Sequence, residues 1–65
     1  MTNTEVYKAL RLSRKLSHRD IAAGAGIHQS QSRNIEAGKS VPSVVTAIKI
    51  ARLLRAKVET LWPVA

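Results

Sequence analysis

The sequence predicts an all-α protein of five short helices with a helix-turn-helix at its centre. Three observations carry this. Apolar residues recur at helical spacing and nowhere sustain a period of two. Thr2 with Glu5, and Ser17 with Asp20, have the spacing of capping boxes, in which two side chains satisfy the free N–H groups that begin a helix. Gly26, Gly38 and Pro42 fall between the periodic segments and break them.

The first helix is expected from about Asn3 to Lys15, with Val6, Ala9, Leu10 and Ser13 on one face and Lys8, Arg11, Arg14 and Lys15 crowding the rest. The second runs from about His18 to Ala25 and buries Ile21, Ala22 and Ala25. Gly24 inside it costs up to about 1 kcal/mol relative to Ala. Gly26 then supplies a left-handed turn and Ile27 plugs the corner. The third helix runs from about Gln29 to Ala37, with His28 as an imperfect N-cap, and stops at Gly38. Pro42 keeps Val41 extended. Ser43 caps a fourth helix that reaches about Leu54, with Val44, Ala47, Ile48, Ala51 and Leu54 as its apolar face. A last turn, Val58 to Trp62, ends at Pro63.

The 65 residues have room for one domain, residues 1–65, with the helix-turn-helix at about 17–37. The core of so small a domain is marginal. With no cysteine there is neither a disulfide nor a Cys-ligated zinc to staple it, and dimerisation is the remaining common support. No apolar run approaches the roughly 18 residues of a membrane span. The N-terminus lacks the layout of a signal peptide, so a cytoplasmic protein is expected.

Eleven Lys and Arg face four Asp and Glu, a formal net charge of +7. Such a balance suits a nucleic acid, and also an acidic protein or an anionic membrane surface. Tyr7 and Trp62 are the only aromatic residues. Single-strand binders stack bases on several rings, so the composition favours duplex DNA.

Ala22 precedes Gly26 by four positions, and a small residue there lets two helices cross closely. This is the arrangement in which the second helix enters the major groove. The run Leu10-Arg11, Leu16-Ser17, Ile21-Ala22, Ala25-Gly26-Ile27, Ile35-Glu36, Gly38-Lys39, Pro42-Ser43, Ile48, Ile50-Ala51, Leu54 and Leu61-Trp62 resembles the Cro and phage-repressor family, also called the XRE family. The match covers roughly Val6 to Trp62, and Glu36-Ala37-Gly38-Lys39 with Pro42-Ser43 is its most specific part. The resemblance implies a lambda-repressor-like five-helix fold and a sequence-specific, duplex-DNA-binding transcription regulator. Three positions depart from the family pattern. Ser32 stands where Val or Ile is usual and needs a partner, such as a backbone carbonyl one turn earlier. Arg55 replaces the Gly that ends the fourth helix, at a cost of roughly 1 kcal/mol if left-handed. Lys57 replaces a Ser or Thr cap.

On the third helix Gln29, Ser30, Arg33, Asn34 and Ala37 share a stripe, while Ser32 and Ile35 point inward. Gln and Asn can pair with adenine and Arg with guanine. The resemblance implies base contacts by Gln29, Ser30, Arg33 and Asn34; in isolation the stripe would read as a solvated face. Gln31 lies between the two faces. Ser17 and His18 begin a helix, whose free N–H groups attract phosphate; His28, Lys39 and Ser40 are further phosphate candidates. The plain alternative is that Ser17 only caps and His18 is merely exposed. The resemblance also implies a structural ion pair between Arg11 and Glu36, and a two-fold contact through Val58, Leu61, Trp62 and Val64, which otherwise read as a core lid.

Other classes find little support. His18 and His28 have no clustered carboxylates or thiols nearby in the sequence, a poor metal site, and nothing forms a nucleophile–base set; neither an enzyme nor a cofactor is expected. A cationic membrane peptide would not need matched turns. An antitoxin-like module that binds a protein partner as well as DNA is the alternative function; a repressor acting as a homodimer on a palindromic operator is the leading one.

Overall fold

The computed structural model describes residues 3–63, and the regular elements of that span are all helices. The helices are α1 (Asn3–Ser13), α2 (His18–Ala25), α3 (Gln29–Glu36), α4 (Val44–Leu54) and α5 (Val58–Leu61). Helix α2 packs on α3 and α4, and α1 crosses α3, α4 and α5. Between them lies one core of Tyr7, Ile21, Ala25, Ile35, Ile50, Ala51, Leu54 and Leu61, with Leu10, Leu16, Ile27 and Leu53 packed against it.

The helix starts follow the sequence. Ser17 Oγ accepts from Asp20 N–H at 3.1 Å while the Asp20 carboxylate accepts from Ser17 N–H at 2.8 Å, the expected capping box. Ser43 Oγ accepts from Thr46 N–H at 3.3 Å. Thr2, on which the first expected box depends, lies outside the described residues.

Four helices end by one device. Lys15, Gly26, Gly38 and Arg55 all have positive φ, of 57°, 70°, 77° and 54°. In each case the next residue turns its N–H back to a carbonyl five positions earlier: Leu16 to Arg11, Ile27 to Ala22, Lys39 to Asn34 and Ala56 to Ala51. This is the left-handed closure that satisfies the last free carbonyls of a helix. Glycine adopts it without strain at Gly26 and Gly38; Lys15 and Arg55 carry a Cβ into it. The left-handed Arg55 was expected. Lys15 was not, and it stops α1 at Ser13, two residues short of the expected end.

Two helix faces differ from expectation. On α1 the buried residue is Tyr7, with Val6 and Leu10 half-buried, while Ala9 and Ser13 are exposed. On α4 the buried residues are Ala47, Ile50, Ala51 and Leu54, while Val44 and Ile48 face outward. Helix α4 is apolar nearly all round, so the periodicity fits two faces and packing chooses between them. Gly24 takes part in that choice: a Cβ there would sit 2.7 Å from both Leu53 methyl carbons, so the glycine gives α4 room to lie against α2.

Helix α5 closes the core. Leu61 is completely buried, and Trp62 meets Tyr7 edge-on, with ring centroids 6.5 Å apart. Leu61 therefore has no surface to offer a second copy, contrary to expectation, because its own chain consumes it. Val58 and Trp62 are half-buried against the same core. Val64 lies outside the described residues.

Candidate nucleic-acid interface

The presentation of α3 begins at its cap. Gln31 Oε1 accepts from His28 N–H at 2.8 Å, so Gln31, which the sequence leaves between two faces, fastens the start of the helix. Ser32 and Ile35 are buried against the core. Helical geometry then turns Gln29, Ser30, Arg33 and Asn34 outward together, and all four are exposed. Gln29 Oε1 accepts from Arg33 Nη2 at 3.3 Å one turn away, which aligns the two side chains along the stripe. Apart from Arg33 the stripe is polar and uncharged.

Behind the stripe runs a polar seam that joins three helices. Arg11 on α1 donates from Nε and Nη2 to the two carboxylate oxygens of Glu36 on α3, each at 3.2 Å, and from Nη1 to the Leu16 carbonyl at 3.0 Å. The expected ion pair is therefore present, bidentate and mostly buried, with side chains 13% and 12% exposed. His18 on α2 places Nε2 at 2.7 Å from Glu36 Oε2 and Nδ1 at 2.8 Å from Ser32 Oγ. Ser32 Oγ lies 3.1 Å from the Tyr7 hydroxyl.

With His18 neutral and its hydrogen on Nε2, one direction of donation satisfies every group. Tyr7 O–H donates to Ser32, Ser32 O–H to His18 Nδ1, and His18 Nε2–H to Glu36. Among the described residues no buried side-chain polar atom lacks a partner. Burial and the Arg11 guanidinium hold the His18 pKa below its ordinary value, outweighing the upward pull of Glu36. Burial raises that of Tyr7.

The seam corrects two expectations. Ser32 finds Tyr7 and His18 rather than a backbone carbonyl. His18, expected at phosphate, has both ring nitrogens committed within the chain and acts as a brace for α3. Tyr7 was missed as a member of the site because its sequence position gives no sign that its hydroxyl meets Ser32, 25 residues away.

The other phosphate candidates lie around the stripe. Ser17, His28, Lys39 and Ser40 are exposed. The N–H groups of Lys39 and Ser40 both return to the Asn34 carbonyl, at 2.9 and 3.4 Å, which holds the loop against the end of α3. An open cleft of about 500 Å³ flanks the other side, lined by Glu5, Lys8, Arg11, His18, Arg33, Glu36 and Ala37. Lys39 thus lies at one end of the exposed stripe, and Lys8 lines the cleft that reaches Arg33.

Among the described residues, no group of three or more His, Cys, Asp or Glu could hold a metal ion, and no helix is long and apolar enough to cross a membrane. No significant match to the chain was found among curated proteins or among solved structures. The helix-turn-helix family model matches residues 8–61, which spans the geometry just described except the start of α1 through Tyr7 and the residues after Leu61. The chain belongs to the XRE-type helix-turn-helix family, whose members are duplex-DNA-binding transcription regulators and not a family of enzymes.

Proposed function

We propose that this regulator is a repressor that binds a palindromic operator as a homodimer. The observation that carries the reading is the stripe of α3, four exposed polar side chains on a helix pinned from behind by the Arg11–Glu36–His18–Ser32–Tyr7 seam. Base reading needs side chains held to well under an ångström, and the seam supplies that support. Gln29, Ser30, Arg33 and Asn34 contact base edges. Ser17, His28, Lys39 and Ser40 contact phosphates, which fix register without carrying sequence information. Repression follows from occupancy of a site that polymerase or an activator needs. The protein acts in the cytoplasm and requires no cofactor.

The size of the reading element supports the two-fold reading. Helix α3 has eight residues and is about 12 Å long, so one copy reads only a few base pairs. Two copies with reading helices about 34 Å apart double the site and read a palindrome. Of the surfaces expected at the two-fold contact, Val58 and Trp62 retain partial exposure.

Selection of bound duplexes from a random pool tests the reading. The expected product is an inverted repeat with centres one helical turn apart. In gel-shift titrations Gln29→Ala should lose discrimination between selected and random duplex, whereas Lys39→Ala should weaken both alike. A selected site without symmetry would overturn the dimer. An unchanged specific-to-random ratio for Gln29→Ala would remove Gln29 from the readers.

A further inference from the structure

The exposed stripe of α3 sets a cation beside an amide. Gln29 and Arg33 are one helical turn apart, so their side chains rise on the same face. Long side chains on a helix lean back toward its N-terminus, which carries the Arg33 guanidinium over the turn that begins with Gln29. Arg33 Nη2–H then donates to Gln29 Oε1 at 3.3 Å. Both residues are exposed, and water competes for the bond, but only one orientation of the amide can make it. A guanidinium has N–H donors and no acceptor. An amide turned end for end would set its NH2 group against those donors. Whenever the two side chains meet, Oε1 faces Arg33 and the NH2 group is left for the groove.

That orientation bears on which base the pair can read. A glutamine that pairs with adenine uses both ends of its amide: NH2 donates to N7, and the oxygen accepts from the N6 amino group. With Oε1 on Arg33, an adenine amino group aimed at the same oxygen would come up against the guanidinium cation. Cytosine presents an amino donor and meets the same repulsion. Thymine presents one acceptor beside a methyl group. Guanine presents two adjacent acceptors, N7 and O6. The NH2 group of Gln29 and the remaining N–H groups of Arg33 can donate to both, and the negative edge of the base attracts the cation. The other stripe residues, Ser30, Asn34 and Ala37, include no carboxylate to offset that charge.

We propose that Gln29 and Arg33 read one guanine jointly, as a unit that presents only donors, and that Arg33 excludes the adenine a lone glutamine would favour. The proposal rests on α3 as the base-reading helix and adds the identity of one base and the pairing of two readers. Arg33 also lines the cleft that Lys8 borders, where a backbone phosphate is the competing target for its charge. The bond to Gln29 holds the guanidinium on the stripe instead.

The test uses the full chain and the duplex selected from the random pool. Each G·C pair of a half-site is replaced in turn by A·T, and each guanine by 7-deazaguanine, which lacks the N7 acceptor. Binding is measured by gel-shift titration relative to random duplex, for wild type, Gln29→Ala and Arg33→Met, with folding checked by circular dichroism. For wild type, one guanine per half-site should cost roughly tenfold when replaced by adenine, and several-fold when replaced by 7-deazaguanine. Both variants should lose that preference at the same base pair. Arg33→Met frees Oε1, so its preference there should move from guanine toward adenine. These analogue duplexes test wild type directly and need no variant. If Gln29→Ala and Arg33→Met lose preference at different base pairs, or if wild type prefers adenine at the pair Gln29 governs, this proposal falls and base reading by α3 stands. If Arg33→Met weakens selected and random duplex alike, Arg33 is a phosphate contact and the joint unit is overturned. If neither variant alters preference at any base pair, α3 is not read through these residues, and the base-reading assignment falls together with this proposal.

Discussion

Removing the hydroxyl of Ser32 should be among the costliest single-atom changes the chain can suffer. Ser32 is 0% exposed, and its Oγ bonds both Tyr7 and His18. Ser32→Ala removes one atom and opens almost no cavity, so the cost is polar. Tyr7, 2% exposed, keeps a phenol with no partner and no water. A buried orphan of this kind costs about 1–3 kcal/mol. The His18 side chain is 19% exposed, so solvent recovers part of what Nδ1 loses. The expected total is about 2–3 kcal/mol, from a stability of roughly 3–10 kcal/mol for a domain of this length. At about 4–8 °C per kcal/mol the melting temperature should fall by roughly 10–20 °C. The sharper test is the pair. Tyr7→Phe/Ser32→Ala removes donor and acceptor together, and deleting both ends of a buried hydrogen bond is far cheaper than deleting one. The double variant should therefore be more stable than Ser32→Ala alone, with a coupling of about 1–2 kcal/mol by thermal and urea unfolding near pH 8. A Ser32→Ala variant within about 0.5 kcal/mol of wild type, or strict additivity, would refute the claim that the seam stabilises the fold.

Glu36→Ala should cost about 3 kcal/mol in urea unfolding, because it strands the Arg11 guanidinium at 13% exposure, and Arg11→Met/Glu36→Leu should recover much of that loss. The pH dependence should show a plateau for the seam. The folded pKa of His18 lies below its unfolded value of 6.5, so the unfolded chain binds more protons below that value, and stability declines as pH falls through 6.5. The folded pKa of Tyr7 lies above its unfolded value of 10.0, so stability declines again as pH rises past 10. Thermal melts from pH 5 to 11 would show both edges, and His18→Gln should flatten the acid one. Arg55→Gly and Lys15→Gly should each raise stability by about 0.5–1 kcal/mol, since φ is 54° and 57° at these sites; a loss in either would mean that the side chain contributes more than its strained backbone costs.

The parts legible in the sequence are those set by local rules. Caps at Ser17 and Ser43, the turn at Gly26 and the inward pair Ser32 and Ile35 all depend on residues within one helical turn of each other, and the structure has them as read. The outward stripe of α3 follows from the same period. What the sequence hides is long-range choice. The α1 stripe centres on Tyr7 and Arg11, two residues with polar ends that a hydropathy pattern assigns to the surface. Their partners, Ser32 and Glu36, are each 25 residues away. The Arg11–Glu36 pair was reached through the family resemblance and not through spacing. On α4 the largely apolar composition points to a face that includes Val44 and Ile48, whereas packing buries Ile50 in their place, with Gly24 of α2 giving Leu53 room to approach. His18 illustrates the same limit. At a helix start it looks like an anion ligand, and only the position of α3 turns its ring inward.

The choice of a polar seam over an apolar one has a consequence for recognition. An apolar side chain at position 32 would bury well in several slightly rotated settings of α3, because dispersion is nearly indifferent to direction. Hydrogen bonds are directional and weaken steeply off axis. Ser32 and Glu36 lie one turn apart on α3, and each is bonded to His18 on α2 and to a residue of α1. Two anchors on one helix, each tied to two other helices, oppose rotation about the axis of α3 and sliding along it. A rotation of about 100°, one residue's worth, would exchange the reading stripe for its neighbours. Even a tenth of that would move the side-chain tips by around an ångström, enough to spoil a paired contact with a base edge. On the proposed base-reading role of α3, the seam acts at the level of specificity as well as stability, although none of Tyr7, Ser32, His18 or Glu36 belongs to the exposed stripe. Changes in it are expected to blur the distinction between operator and random duplex before they abolish binding.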